Sequence, residues 1–395
     1  MDAVIVLLIL LFVLLAIGVP VGFAIGGATM ISMFFFSDLN MVVNAQYCYS
    51  GIFSFTVMAI PYFMLAGTIM STGGIARRIV DFASALIDFV TGALGCVSML
   101  ACMFFGALTG SGMATTSAIG GMMIPEMKRK GYDSSYAATL VCFGGIVGPI
   151  IPPSLSFVLY GASTKTSVPD LFKAGIIPGL AMGVALMIVC YIMAKKYGFK
   201  GETKKFSFKA VVKSFVDAIW ALLSPVIILG GIYSGKLTPT ESSAIAVVWS
   251  LIAGMLIYRE IKLKDLYEIF IDSAKGASMV LFIIATSTAF AWLFTYAGIS
   301  KALVDLVVGM HLSATAFCLV VAIILLIFGT FLEGIATCVL LVPVLWPIAQ
   351  TLGVDIVHFG MIVCIANVVG TMTPPVAVNI FSASTVSKLS MGEIV

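Results

Sequence analysis

Apolar residues run along this chain in long blocks, not in alternating stripes. AVIVLLILLFVLLAIG (residues 3–18) and LVVAIILLIFG (319–329) are hydrophobic on every side of a helix. A helix without a polar face belongs in lipid, where about 20 apolar residues cross the hydrocarbon core. The blocks predict a first long helix running outward, then membrane segments over 52–71, 93–127, 134–165, 171–196, 211–233, 241–258, 276–296, 313–350 and 354–387. Two stretches differ. GIARRIVD (Gly74–Asp81) and GISKALVD (Gly298–Asp305) read as amphipathic helices lying in the interface. The only long polar stretch, YGFKGETKKFSFK (Tyr197–Lys209), divides the chain into two halves.

Inside two of the apolar blocks the pattern is interrupted in the same way, by GPIIPPS (Gly148–Ser154) and GTMTPPV (Gly370–Val376). Proline removes a backbone donor and its ring clashes with the preceding turn, so each stretch breaks its helix. Sliding the sequence by 222 residues aligns the two breaks and much around them. Gly112 meets Gly334, Thr115 meets Thr337, Pro125 meets Pro347, Asp133 meets Asp355, Cys142 meets Cys364 and Pro152-Pro153 meet Pro374-Pro375. The matching loops differ in charge: KRKGYD (128–133) is basic, whereas QTLGVD (350–355) carries only its Asp. Equivalent loops therefore face opposite sides, which makes the repeat inverted. Inverted repeats with a broken helix in each half point to a secondary transporter with its site at the midplane.

Composition confirms the solvent. The chain is 61% hydrophobic and 10% charged, with mean hydropathy +1.17, too few charges to coat a soluble domain of 395 residues. The first block lacks a basic flank and a small-residue cleavage site, so it reads as a retained helix, not a signal peptide. Arg77-Arg78, Lys128–Lys130, Lys195–Lys213, Arg259–Lys275 and Lys388 all fit on one side, which the positive-inside rule makes cytoplasmic. Only Lys165, Lys173, Lys236 and Lys301 fall outside, and the start of the chain is placed inside. The net charge of +3 is too small to imply nucleic acid. Eight scattered cysteines without a Cys-x-x-Cys read as buried thiols, and the isolated His311 and His358 offer no metal site. No Walker loop and no His-Glu-x-x-His is present, so ATP hydrolysis and zinc proteolysis have no foothold.

Candidate chemistry sits at the breaks. GALTGSGMATTSAIGG (106–121) crowds the hydroxyls of Thr109, Ser111, Thr115, Thr116 and Ser117 around a Gly-Ser-Gly turn. Such a turn exposes carbonyls, hard ligands for a small cation, and helix N–H groups that attract a carboxylate; it equally suits close helix packing. Its counterpart, GTFLEGIATC (329–338), places Glu333 opposite Ser111. An acid in so apolar a segment costs about 2.5–3.5 kcal/mol, so Glu333 reads as ion-coupling or hairpin-anchoring, with a snorkelling role as the alternative. The carbonyls freed from Gly148 to Ile151 lie before Ser154 and Ser156, and those of the second break lie beside Thr371, Thr373 and Asn379. Residues 93–110 and 113–128 are each nearly long enough to span, so two full helices fit as well as a re-entrant hairpin. Thr238-Pro239-Thr240-Glu241 reads as a capping box.

In GALTGSGMATTSAIGGMMIPEMKRKGYD, GPIIPPS, GKLTPTE, FLEG and GTMTPPVAVNIF the chain resembles the large membrane subunit of TRAP (tripartite ATP-independent periplasmic) transporters, over essentially its whole length. The resemblance implies an all-α polytopic elevator with two re-entrant hairpins and two broken helices, in a bacterial inner membrane. It implies coupling to two or more sodium ions and no organic cofactor. Its partners would be a small four-helix membrane subunit and a periplasmic substrate-binding protein. The solute would be a small organic acid: a four-carbon dicarboxylate, another organic acid or sialic acid.

The implied organisation is scaffold over 1–71, an arm helix over 72–92, a first transport half over 93–165 and scaffold again over 166–275. A connecting and arm helix over 276–310 and a second transport half over 311–388 follow; 389–395 reads as a truncated end, where such subunits continue into a further helix. Carried over, Gly110, Ser111, Gly112 and Thr115 with Gly148, Pro149 and Ile151 frame one sodium site. Glu333, Gly334 and Thr337 with Gly370, Thr371 and Thr373 frame the other. The substrate carboxylate would lie near Ser154, Ser156, Thr373, Pro374 and Asn379. Neither motif contains an Arg, so helix N-termini, hydroxyls and sodium would offset its charge. The competing readings are a stand-alone sodium- or proton-coupled dicarboxylate symporter and a channel. An intramembrane enzyme has no nucleophile–base pair to work with.

Overall fold

The apolar blocks become helices, and the proline and glycine positions set where they stop. The computed structural model describes residues 2–90, 92–199, 206–332, 334–374 and 377–395, and every regular element among them is helical. The chain opens with α1 (Asp2–Ala16), α2 (Val21–Phe36), α3 (Met41–Ile52), α4 (Ala59–Thr72) and α5 (Ile75–Ile87). Next come α6 (Ala93–Thr109), α7 (Gly112–Arg129), α8 (Ser134–Val147) and α9 (Leu155–Thr164). Helices α10 (Val168–Tyr197), α11 (Phe208–Tyr233) and α12 (Pro239–Leu251, continued as a π-helix over Ile252–Ile257) lead to α13 (Leu263–Tyr296). The second half holds α14 (Ile299–Gly309), α15 (Ala314–Gly329), α16 (Gly334–Thr351), α17 (Ile356–Gly370), α18 (Val378–Ser387) and the short α19 (Met391–Ile394). Among the described residues five helices are long and apolar enough to cross a bilayer. The pairs α4/α5 and α8/α9 add two bent candidates, at 67° and 43°.

The repeat seen in the sequence governs helix ends. Helix α7 runs from Gly112 to Arg129 and α16 from Gly334 to Thr351, 222 residues on at both ends. Helices α8 and α17 both start after an Asp N-cap, Asp133 or Asp355, whose carboxylate accepts from two backbone N–H groups. The amphipathic stretches form α5 and α14, each entered through a left-handed glycine, Gly74 or Gly298. The Thr238–Glu241 capping box closes as expected.

Two expectations are corrected. The first block is not one outward helix: Gly18, at φ +83°, ends α1, and α2 begins after Pro20. Fifteen residues give a helix of roughly 22 Å, short of the hydrocarbon core at about 30 Å. Helices α1 and α2 instead pack on each other, burying Leu7 and Leu11 with Ala24, Ile25 and Ala28. The segment expected to start at 276 starts at Leu263, because the charged run before it is itself helical. Lys264 to Lys275 thus lie on the first turns of α13, and a boundary at 275/276 cuts a continuous helix.

The two halves exchange helices across their shared core. Helix α9, following the first break, packs on α16, and α18, following the second, packs on α7 and α8. Tyr160, Phe105, Phe157, Phe172 and Phe359 are fully buried there. The outer faces of α10, α11 and α12 expose Ile177, Val184, Ile188, Val226 and Val248, apolar surface suited to lipid or a membrane partner.

Candidate functional site

The first turn is built by its own hydroxyls. Gly110 adopts φ +63°, which a side chain would strain, and ends α6. Ser111 caps α7, its hydroxyl accepting from the Ala114 N–H at 3.4 Å. Thr115 donates its hydroxyl to the Ser111 carbonyl at 2.7 Å and lies 3.3 Å from the Thr109 hydroxyl. A broken segment crosses behind this turn. Gly148 starts a short 3₁₀ turn, Gly148–Ile150, and Ser154 caps α9 by accepting from the Phe157 N–H.

The second half repeats the plan with different side chains. Helix α16 begins at Gly334, whose carbonyl accepts a hydrogen bond from the Asn367 side-chain amide of α17. The second break is held by Asn379, whose amide donates to the Thr371 hydroxyl at 3.1 Å and whose backbone N–H donates to the Thr371 carbonyl at 3.3 Å. Bonds between halves fix the two against each other. The Ser117 and Ser382 hydroxyls lie 2.8 Å apart, Ser382 donates to the Met113 carbonyl, Cys142 donates its thiol to the Asn379 carbonyl, and Tyr160 donates to the Ile356 carbonyl.

Both half-structures open onto one small cavity, with about 70 Å³ of water-accessible space. Of the residues singled out from the sequence, Gly110, Ser111, Gly112, Pro149, Ser156, Gly334, Thr371 and Asn379 line it. The rest do not. Thr115 and Ser154 are buried behind the turns, and Gly148 and Gly370 press against Gly106 and Gly329. Ile151 packs where Gly179 of α10 leaves room, and Thr337 is buried inside α16. Thr373 and Pro374 are exposed and are not among its lining residues. Glu333 lies outside the described residues.

Sequence reasoning missed the apolar wall. Met113 and Ile335, at repeat-equivalent positions, and Leu155 and Val378, each the first residue after a break, line the cavity with Val368. It also passed over Asn367, a lone amide in the apolar run VCIANVVG. Asn367 is fully buried, and its side-chain oxygen has no hydrogen-bond partner among the described residues. Leaving such an acceptor unpaired costs about 1–3 kcal/mol, which marks it as more than packing.

An all-helical, many-spanning chain with two like halves around one cavity is built as a membrane transport protein. The chain belongs to the family described as "Tripartite ATP-independent periplasmic transporter, DctM component", which matches residues 8–395. It is 42% identical over 338 residues to the C4-dicarboxylate TRAP transporter large permease protein DctM of Pseudomonas aeruginosa, covering 86% of this chain and 79% of that one. Against the 2,3-diketo-L-gulonate TRAP transporter large permease protein YiaN of Escherichia coli it is 36% identical, covering 96% and 89%. It is 38% identical to the isethionate TRAP transporter permease protein DctMQ of Oleidesulfovibrio alaskensis, covering 96% of this chain but only 60% of that longer protein. Its fold is similar to the crystal structure of the Alcanivorax borkumensis YdaH transporter, with TM-score 0.53, 11% identity, and 86% and 81% covered. It is thus a large permease component of a TRAP transporter and not an enzyme.

Proposed function

We propose that this permease carries a carboxylate-bearing solute inward, coupled to sodium, after a periplasmic binding protein hands it over. The single observation behind the reading is convergence: turns and breaks from both halves, rich in backbone carbonyls and hydroxyls, meet at one cavity. Hard oxygen donors suit sodium, and the starts of α7, α9, α16 and α18 suit a carboxylate. Around Gly334, the side-chain oxygen of Asn367, unpaired among the described residues, adds a further donor to the second sodium site. The relatives named for C4-dicarboxylates, 2,3-diketo-L-gulonate and isethionate support an organic anion as cargo. A small membrane subunit completes the complex on the exposed faces of α10–α12.

In this reading α6–α7 and α15–α16 are re-entrant hairpins that travel with the broken helices as an elevator against the scaffold, and the repeats are inverted in the bacterial inner membrane. A cytoplasmic start for the chain is not part of it. Helix α2 runs parallel to α13, with Gly22 against Phe282 and Gly26 against Thr286, and α1 folds back along it. In this reading α1 returns Asp2 to the side of residues 37–40, the side taken as periplasmic.

The test is uptake by the reconstituted complex in proteoliposomes, with succinate, isethionate and sialic acid each loaded on the binding protein. Accumulation that requires both an inward sodium gradient and the binding protein is the expected result. Uptake without the binding protein would favour a stand-alone symporter, and flux indifferent to sodium would favour a channel.

A further inference from the structure

The cavity at the paired breaks is small, yet a second, far larger one lies beside it. About 650 Å³ of space opens between the α3–α4 turn, the end of α9, α13 and α16. Volumes of about 300–1,000 Å³ are typical of small-molecule sites, whereas the space at the breaks holds only a few waters at about 10–15 Å³ each. The wall of the larger cavity is rich in hydroxyls: Ser50, Ser54, Thr56, Ser163, Thr166 and Thr288. Among the described residues its only charged lining residue is Lys165, which follows α9 in a left-handed conformation at φ +59°. Nearby Lys173 pairs with Asp170, but Lys165 has no acidic partner within 4.0 Å among the described residues. Lys165 also lies at the opposite end of the α8–α9 segment from the basic run Lys128–Lys130.

One helix joins the two cavities. The first residues of α9, Leu155 and Ser156, line the cavity at the breaks, and Leu159, Gly161, Ala162, Ser163 and the following Lys165 line the larger one. From Ser156 to Leu159 the helix advances three residues, a rise of roughly 4.5 Å. The opposite wall is α3 and α13, elements outside the two transport halves.

We propose that this cavity is an outer vestibule for the anionic solute, with Lys165 and the hydroxyl wall holding a carboxylate or sulfonate before it passes along α9. The proposal rests on the transport reading above and extends it to a second station. The unpaired ammonium supplies the charge that neither break motif contains. Being exposed, it exchanges water for the anion at little desolvation cost. Apart from the vestibule, Lys165 has one other role: a cation at the C-terminus of α9 favourably placed on its dipole.

The experiment separates these roles. Seven of the eight cysteines are buried, so a Cys48→Ser background carrying Ser163→Cys presents one accessible thiol at the vestibule wall. Its reaction with the anionic 2-sulfonatoethyl methanethiosulfonate is compared with that of the cationic 2-aminoethyl reagent. Adding Lys165→Gln is expected to lower the anionic-to-cationic rate ratio about ten-fold, and Lys165→Arg to keep it, as a focused local charge predicts. In the uptake assay, Lys165→Gln is expected to raise the half-saturating concentration of loaded binding protein several-fold at unchanged maximal rate, with Lys165→Arg rescuing it. Unchanged rate ratios overturn the vestibule and leave the transport reading standing, as does unchanged half-saturation. If the unsubstituted protein shows no sodium-dependent uptake of any of the three acids, the transport reading falls and the vestibule's role falls with it.

Discussion

Gly106 and Gly148 touch backbone to backbone: a methyl group on Gly106 would lie 2.3 Å from the Gly148 Cα, and one on Gly148 would lie 2.4 Å from the Gly106 Cα. The same contact recurs in the second half, where a methyl on Gly329 would meet the Gly370 Cα at 2.7 Å. Each break is therefore seated against the helix that leads into the neighbouring turn. The glycine in Gly-x-x-x-Pro-Pro is there for the crossing as much as for the break. Alanine at Gly106 or Gly148 must push backbone apart, an overpacking that costs about 1–3 kcal/mol. Gly106→Ala is expected to lower the melting temperature of the purified protein by several degrees and abolish uptake. Gly230→Ala, with open space around its methyl, is expected to change neither. Equal thermal shifts for the two would mean that the crossing is not tight.

The first turn makes a prediction about sodium. Thr115 holds the Ser111 carbonyl, and Ser111 holds the start of α7. Replacing Ser111 with Ala or Thr115 with Val removes one oxygen each without altering the apolar packing. Each is expected to raise half-saturating sodium about ten-fold, the equivalent of about 1.4 kcal/mol. Asn367→Leu is expected to do the same from the other half, since its free oxygen borders Gly334. Sodium titrations of uptake decide the matter. An unchanged sodium dependence in all three variants would detach these residues from coupling.

What could be foreseen, and what could not, follows from how local each cause is. The breaks at Gly148 and Gly370, the capping box at Thr238–Glu241 and the turn at Gly110 depend on residues within one helical turn, and each was readable in the sequence. The α1–α2 fold-back was not, because a block apolar on all sides carries no phase and only Gly18 and Pro20 hint at a bend. The early start of α13 was missed for the opposite reason: its charged residues fall outside the apolar block although their spacing permits a helix with a polar face. The seating of α9 on α16 and of α18 on α7 is purely tertiary. So is the apolar lining by Leu155, Val368 and Val378, since nothing within either break says which neighbours will close the cavity.

On the expected cytoplasmic side, Arg78 ties the amphipathic α5 to the end of the π-helical segment. Its guanidinium pairs with Glu260 at 2.6 Å and sits 3.7 Å from the centre of the Tyr258 ring. Tyr258 in turn donates its hydroxyl to the Asp217 carbonyl of α11. The ion pair is partly exposed, so its share is screened to about 0.2–1 kcal/mol, and the stacking adds about 0.5–1 kcal/mol. A double-mutant cycle on Arg78→Ala and Tyr258→Leu is expected to show a coupling of about 1 kcal/mol in thermal stability, shrinking only slightly in high salt. Arg78→Lys is expected to recover little, because the ammonium cannot stack and pair at once. Additive single mutants would show that the contact is incidental.

Asn379 offers the sharpest test of the cavity, because one atom can be changed without changing its shape. It is buried, its amide donates to Thr371, and a methyl group on Gly112 of the other half would lie 3.0 Å from its side chain. Among the described residues the cavity lining contains no Lys, Arg or His to balance an added charge. Asn379→Asp loses the amide donor and places a carboxylate where the solute's own carboxylate is expected. Like charges at such range repel by several kcal/mol in a partly dry site, and an adjacent cation is held more tightly. The variant is expected to raise the half-saturating solute concentration more than ten-fold while lowering that for sodium. Asn379→Leu, uncharged but lacking the donor, is expected to weaken solute alone. If Asp and Leu weaken solute and sodium to the same degree, the residue only supports the fold of the second break. Opposite shifts for the two ligands in Asn379→Asp would place Asn379 between them.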